Sequence, residues 1–274
     1  MIRREAITNL DDSRLAPFRS LRAQFDHLDG GVFVAEGEKV VRRMLAASSD
    51  VISVLLSPKW EAVIAPLAEA RPESVTLFVA DTSLLEQLTG FRLFQGLLGL
   101  ARVPRAQTLS DLEALPWPQL LVAFDGLSSA ENLGVAIRNV TALGGQAVIV
   151  GETSAHPYLR RAVRNSMGAV FRLPYVLSPR LVNALNEMRL RGIRCVAAHP
   201  HSERTTLWET DLTIPTCLVF GSEGHGVRPE VLAACDAAVR IPMANEVDSL
   251  NVANSVAVFL GEAQRQRQYH QIPK

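Results

Sequence analysis

Leu218-Val-Phe-Gly-Ser-Glu-Gly-His-Gly226, with its downstream echo Ile241-Pro-Met and Ser249-Leu-Asn-Val-Ala253, is the stretch around which the chain is organised. Cys217 to Phe220 is a short apolar run, the pattern of a strand buried on both faces of a parallel sheet. It leads straight into Gly221, Gly224 and Gly226, with Glu223 the one carboxylate among them. Glycines at a strand end permit positive φ and close approach of backbone to a ligand. Arg228-Pro-Glu then starts a helix, and Pro229 suits its first turn. A strand-end loop that feeds a helix is where open α/β sheets place their ligands. Taken alone, such a loop is as often a plain tight turn. The second segment, and a third one upstream, shift the reading toward a site.

The totals bound the answer without naming it. A chain of 274 residues is long enough for one large or two ordinary domains. Hydrophobic residues make up 48% and charged residues 20%, the profile of a globular protein with a substantial core. Lys+Arg 28 balance Asp+Glu 28, so net charge neither demands nor excludes nucleic acid, and only local clustering speaks to it. Cys195, Cys217 and Cys235 are odd in number and widely spaced, which gives neither a disulfide framework nor a metal motif. Cys195 and Cys217 lie in apolar runs and read as core thiols. Met1-Ile-Arg-Arg-Glu lacks an apolar signal core, and no run approaches membrane-spanning length. The expectation is a cytoplasmic protein without a membrane partner.

In the first half, residues 1–30 are polar and carry Arg3, Arg4, Arg14, Arg19 and Arg22, which read as a solvated arm or a phosphate-contacting surface. Strands are expected at Val32–Ala35, Val51–Leu56, Val75–Ala80 and Leu97–Arg102, and helices at Glu38–Ala47, Trp60–Ala70 and from Asp81, where Ser83 and Glu86 have capping-box spacing. Alternating strands and helices make residues 1–105 a small α/β domain. It holds no cluster of nucleophile, base and metal ligand, and reads as a recognition domain. Pro104, Pro116 and Pro118 bracket a polar stretch, so residues 106–118 are expected to link it to a second domain over residues 119–274.

In the second half Leu120–Phe124 is a buried strand, turned by Asp125-Gly126. Asn132 is the expected N-cap of a helix Leu133–Leu143, closed by Gly144-Gly145. Gly134 and Arg138, four apart, share a face of that helix. A guanidinium beside a glycine gap suits a phosphate, although a snorkelling surface arginine has the same pattern. Further strands are expected at Ala147–Val150, Val170–Leu173, Ile193–Ala198 and Ala238–Ile241, and helices at Pro157–Asn165, Arg180–Arg191 and Ser249–Gln268, the last capped by Ser249. His199-Pro200-His201 has no acidic or thiol partner at ligand spacing, so it reads as a polar loop and no metal is expected.

Three segments then stand in one order: Asn132-Leu-Gly-Val-Ala-Ile-Arg138, Gly221-Ser-Glu-Gly-His-Gly226, and Ile241-Pro-Met with Ser249-Leu-Asn251. Together they resemble the three ordered motifs of the SpoU (TrmH) RNA 2′-O-ribose methyltransferases of the SPOUT class. Phe33-Val-Ala-Glu-Gly37, Gln95-Gly96 and the segment Arg164 to Pro174 resemble landmarks of the N-terminal substrate-binding domain that many members carry. The resemblance implies a small N-terminal α/β RNA-binding domain and a C-terminal α/β domain with a parallel sheet and a deep trefoil knot. It implies S-adenosylmethionine as cofactor, held largely by backbone around Ala198, Gly221, Ile241 and Leu250 with Met243 nearby. It implies an RNA substrate, ribosomal RNA before transfer RNA, and a homodimer through the knotted domain with each site completed by the partner chain. Two places depart from the usual pattern: Ala130-Glu131 stands where Asp-Pro is common, and Asn245 where glycine is common.

The implied reaction joins a ribose 2′-hydroxyl to an already activated methyl group. Alignment of the reactants can supply roughly 7–11 kcal/mol of such a barrier. By resemblance Arg138, Asn132, Glu223, Ser249 and Asn251 form the catalytic set. Arg138 would bind the phosphate beside the target ribose; a guanidinium gives up its proton too reluctantly to serve as the base, so phosphate or water would take the proton. Asn132 would hold the Arg138 segment or the nucleotide, Glu223 would orient Arg138 or the cofactor, and Ser249 and Asn251 would supply hydrogen bonds. Arg3, Arg4, Arg19, Arg160 and Arg164 are candidate phosphate contacts. Rival readings are a non-catalytic RNA-binding protein that keeps the fold and a SPOUT enzyme that methylates a base nitrogen. A dinucleotide-binding enzyme is a weaker one, since no Gly-x-Gly-x-x-Gly follows a first strand.

Overall fold

The computed structural model describes residues 2–7, 9–19, 21, 24–89, 96–202, 205–245 and 247–269. Arg22 and Gln95 therefore lie outside the described residues. In chain order the elements are β1 (Ile2–Ala6), α1 (Ala16–Arg19), α2 (Gln24–Asp29), β2 (Val32–Glu36), α3 (Glu38–Ala46), β3 (Val51–Leu56), α4 (Glu61–Glu69), β4 (Val75–Val79), α5 (Thr82–Thr89) and β5 (Leu97–Arg102). They continue as β6 (Leu120–Phe124), α6 (Ala130–Ala142), β7 (Ala147–Val150), α7 (Arg160–Asn165), β8 (Tyr175–Leu177), α8 (Leu181–Leu190), β9 (Arg194–Ala198), β10 (Thr216–Phe220), α9 (Pro229–Ala233), β11 (Ala237–Val239) and α10 (Val252–Tyr269). The chain divides into two compact units, Met1–Arg105 with Pro157–Arg172, and Ala106–His156 with Leu173–Lys274.

The first unit is built on a five-stranded sheet in the order β1-β4-β3-β5-β2. β1, β4 and β3 run parallel, while β5 is antiparallel to both β3 and β2. Residues 2–6 are thus an edge strand rather than the start of a solvated arm, paired in register with Val75 to Val79. Ser83 lies inside α5 and does not cap it; the amides of Leu84 and Leu85 both reach the carbonyl of Asp81.

The segment 157–172 groups with this unit and not with the sequence around it. The reason is chemical. Arg160 bonds Glu36 and the Leu21 carbonyl (3.2 Å), and Arg164 Nη1 reaches Glu36 Oε1 at 2.7 Å. Phe33 meets the rings of Tyr158 and Phe171 at 4.9 and 5.5 Å. The landmark Phe33 to Gly37 and the landmark Arg164 to Pro174 therefore meet around one buried carboxylate. Ala169–Phe171 forms a 3-10 turn, not the strand expected over Val170–Leu173; the strand comes after it, at β8. Gly168 precedes that turn with φ of 79°, which extended pairing would not allow.

The second unit carries a six-stranded sheet in the order β11-β9-β10-β6-β7-β8, every pairing parallel. Its central strands β6 and β10 are buried along their whole length, as their unbroken apolar sequences require. Leu121, Ile149, Cys195, Cys217, Val219 and Val231 share one core cluster with Leu185 and Met188 of α8. Burial pushes the Cys235 thiol up to about 12, and the Cys217 thiol, hydrogen-bonded to Cys195 and fully buried, well above its ordinary value. Both stay neutral at physiological pH, so these cysteines serve packing.

Candidate active site

Three strands of the second unit end around one cavity of about 310 Å³. Ala198 ends β9 and His199 and His201 follow it, Phe220 ends β10 and Gly221 to Gly226 follow it, and Arg240, Ile241 and Met243 follow β11. Asp248, Ser249, Leu250, Val252, Ser255 and Phe259 close it from the start of α10. All five positions expected to hold the cofactor, Ala198, Gly221, Ile241, Met243 and Leu250, line this cavity, as do Glu223 and Ser249. The buried Nδ1 of His199, in the same wall, has no hydrogen-bond partner. A buried polar nitrogen without a partner is a group that a ligand can satisfy.

The loop after β10 is a tight turn closed by reciprocal backbone bonds, Ser222 N to Gly226 O at 3.0 Å and Gly226 N to Ser222 O at 2.9 Å. The His225 amide also donates to Ser222 Oγ at 3.1 Å. Gly226 adopts φ of 67°, and a Cβ on Gly221 would fall 1.9 Å from the Gly226 carbonyl carbon. Both glycines are therefore required by the turn itself. The chain leaves it through Arg228, whose backbone amide and Nε bind the buried Asp125 at 2.8 and 2.7 Å and whose Nη2 binds Glu152 at 2.8 Å. Burial raises the Glu152 carboxyl, but bonds from Arg228, from Leu181 and from its own backbone outweigh that and hold it below the ordinary range. This brace ties the ends of β6 and β7 to the start of α9.

Glu223, at the tip of the turn, meets two asparagines. Asn132 Nδ2 donates to Glu223 Oε1, and Asn251 Nδ2 donates to the same oxygen at 2.8 Å. Asn251 Nδ2 also lies 3.3 Å from Asn132 Oδ1. Each asparagine is set by the helix it belongs to. Ser129, not Asn132, caps α6, its hydroxyl accepting the Asn132 amide at 3.2 Å; Asn132 sits in the first turn with its side chain free to reach Glu223. Asn251, not Ser249, caps α10, its Oδ1 accepting the Ala253 amide at 2.9 Å. That bond fixes which end of the amide is oxygen, and so points Nδ2 at the carboxylate. Asn139 Nδ2 adds a bond to the Ala253 carbonyl at 2.7 Å, joining the middle of α6 to the start of α10.

The remaining expected residues separate. Arg138 is exposed on α6 and is not among the residues that line the cavity, so within one chain Glu223 is oriented by asparagines and not by Arg138. Arg160 is a correction: its side chain is only 11% exposed and is committed to Glu36, so it is a structural ion pair and not a free phosphate contact. Arg19 is likewise turned inward, to the carbonyls of Leu10 (2.6 Å) and Asp12 (3.2 Å). Arg4 pairs with Glu61 at 3.0 Å while its side chain remains about half exposed, as does that of Arg164; Arg3 is exposed on β1. Asn245, at the place where glycine is usual, takes φ of 57° and keeps the left-handed backbone. Sequence reasoning missed the Asp125–Arg228–Glu152 brace; an acid at the end of β6 and another just past β7 were its only local signals. Among the described residues no group of three His, Cys, Asp or Glu side chains has a metal-binding arrangement. Among them, too, no helix is long and apolar enough to cross a membrane.

With this geometry in view, the chain matches the model of the SpoU rRNA Methylase family over residues 119–261. It is 31% identical to an uncharacterized tRNA/rRNA methyltransferase of Mycobacterium bovis, covering 93% of this chain and 90% of that protein. It is 32% identical to a 23S rRNA (guanosine-2′-O-)-methyltransferase of Ralstonia nicotianae, over 73% of this chain and 81% of that one. Among solved structures it is similar to an AdoMet-bound rRNA methyltransferase from Sinorhizobium meliloti, with a TM-score of 0.82 and 25% identity over 98% of this chain and 99% of that chain.

Proposed function

The chain belongs to the SpoU rRNA methylase family, and on that premise we propose that it transfers a methyl group from S-adenosylmethionine to a ribose 2′-hydroxyl of ribosomal RNA. The observation that carries this reading is the joining of all three motifs at one place. Asn132, Glu223 and Asn251 come from positions far apart in the chain and share one carboxylate oxygen beside a cavity at the carboxyl ends of a parallel sheet.

The residues present fit the donor. Ile241, Met243, Leu250, Phe220 and Phe259 offer apolar walls for a flat base, and His199 Nδ1 awaits a partner. When bound there, S-adenosylmethionine supplies an electrophilic methyl group. Glu223 sets a fixed negative charge at the cavity wall, and the two asparagines prevent it from turning away. Arg138, exposed and outside the lining of its own chain's cavity, presents a permanent cation to an RNA phosphate. A homodimer through the α6–α10 side, in which Arg138 serves the partner's cavity, is part of this proposal. So is the threading of the C-terminal segment as a trefoil knot, the recognition role of the first unit through Arg3, Arg4 and Arg164, and a place in the cytoplasm.

The test compares Glu223→Gln with Glu223→Ala in transfer of labelled methyl to ribosomal RNA and in calorimetric binding of the donor. Glutamine keeps an oxygen for both asparagines and removes only the charge; alanine removes the clamp as well. Both should stay folded, with alanine at least about 100-fold slower than wild type, the scale of a misplaced reacting group. Wild-type rates in Glu223→Ala would refute the assignment.

A further inference from the structure

One face of the first unit carries more cations than the carboxylates beside them can cancel. It lies where α3 meets the segment 157–172, both parts of that unit. Lys39, Arg42 and Arg43 are exposed on α3, and Arg164 and Arg172 are exposed on the segment, which contains no acidic residue. The two pieces meet through Arg43. Its Nη1 donates to the Met167 carbonyl, and a Cβ on Gly168 would fall 3.0 Å from Arg43 Cβ and 3.1 Å from its Cδ. Gly168 thus leaves the space in which the arginine stem lies. A carbonyl satisfies an N–H and leaves the charge of the guanidinium uncancelled. Lys39 stands one turn before Arg43 on the same face of α3, toward Glu36, where Arg164 is held at 2.7 Å. Arg172 directly follows Phe171, whose ring would touch the same Cβ at 3.2 Å.

Two carboxylates lie along this strip, and both are already engaged. Glu38 pairs with Arg42 at 3.2 Å, and Glu36 is shared by Arg160 and Arg164. Two guanidinium groups on one carboxylate leave a positive charge over. Among the described residues no carboxylate pairs with Lys39, Arg43 or Arg172. Like charges held side by side repel one another, and a polyanion laid across them removes that cost.

We infer that this strip is the surface on which the first unit holds the phosphate backbone of its RNA, with Lys39, Arg43, Arg164 and Arg172 as the contacts. The inference rests on the methyltransferase reading above and deepens it by stating where the RNA lies on that unit. Contacts to phosphate fix the position of the RNA and carry no sequence information of their own. The strip therefore holds the substrate, and the choice of nucleotide belongs elsewhere.

The experiment measures binding of purified ribosomal RNA to the full chain over a series of salt concentrations. It compares wild type, Lys39→Gln, Arg43→Gln, Arg172→Gln and the triple variant. Arg189→Gln serves as control, because it removes an equal charge from the second unit, where Arg189 pairs with Asp236. Thermal melting, calorimetric binding of S-adenosylmethionine and methyl-transfer kinetics accompany each variant. The side chains of Lys39 and Arg172 make no bond within the described residues, so their variants should melt as wild type does. Each single variant should lower the slope of log affinity against log salt by about 0.7–0.9, and the triple variant by about 2–3. The triple variant should bind RNA at least about tenfold more weakly at low salt, with a raised KM for RNA, unchanged kcat and unchanged donor affinity. A wild-type slope in the triple variant overturns the inference. So does an equal loss in Arg189→Gln, or a fall in kcat with KM unchanged. If wild type binds RNA through the strip but methylates none, the methyltransferase reading fails while the strip stands; normal methylation with unchanged slopes sinks the inference alone.

Discussion

Glu223 receives two amide hydrogens on one oxygen, and each amide is aimed by the first turn of a different helix. This is positional control by backbone: the Ala253 amide holds Asn251, and Ser129 holds the turn that carries Asn132. Asn245 shows the same economy at a single residue. Its φ of 57° lies in the region that asparagine tolerates and most side chains resist. Asn245→Gly should change stability by less than about 1 kcal/mol and leave donor binding intact, whereas Asn245→Val should cost about 1–3 kcal/mol and weaken binding. Thermal melts and calorimetry on the two variants check it; equal behaviour of valine and glycine would show that the left-handed backbone is not needed.

At the scale of elements, the turn after β10 depends on the link between α9 and the ends of β6 and β7. Arg228→Ala would remove the guanidinium from the Asp125 carboxylate, whose side chain is 0% exposed, and leave it the backbone amide of residue 228. Loss of one partner of a buried pair costs about 3–5 kcal/mol, and urea denaturation of Arg228→Ala should show a loss of that order. A loss below about 1 kcal/mol would mean that Asp125 has another means of compensation. The parallel strands were legible because their apolar runs are unbroken, and the cavity-lining positions Gly221 and Ile241 because each lies just past a strand end. The caps were misread at Asn132 and Ser249 because Ser129 and Asn251 are equally good caps a few residues away, and only the tertiary demand of Glu223 decides between them. β1 was hidden by its charge: Arg3 and Arg4 sit on an edge strand, where one side faces water. The 3-10 turn at Ala169 was read as a strand because its residues have strand propensity, which the left-handed Gly168 overrides.

At the scale of the whole molecule, stability should depend on pH through His156. Burial lowers its pKa from 6.5 to about 4, its ring set edge-on to Tyr175 at a centroid distance of 5.9 Å. The unfolded chain binds this proton below about 6.5 and the folded chain only below about 4, so the contribution is fully present above 6.5. Stability should fall as pH drops across that window and level off below it. His156→Gln should flatten this part of the curve of melting temperature against pH, and an unchanged slope would locate the acid sensitivity elsewhere. The balanced charge of the chain, 28 basic against 28 acidic residues, places the burden of RNA attraction on local clusters of cations.

The central claim is that three distant motifs build one site for methylating a ribose hydroxyl. The measurement that tests it most directly is nucleoside separation of ribosomal RNA treated with the protein and S-adenosylmethionine labelled in its methyl group. The account predicts label in a 2′-O-methylated nucleoside and none in a methylated base. Label in a base, or no label in ribosomal and transfer RNA alike, would contradict it.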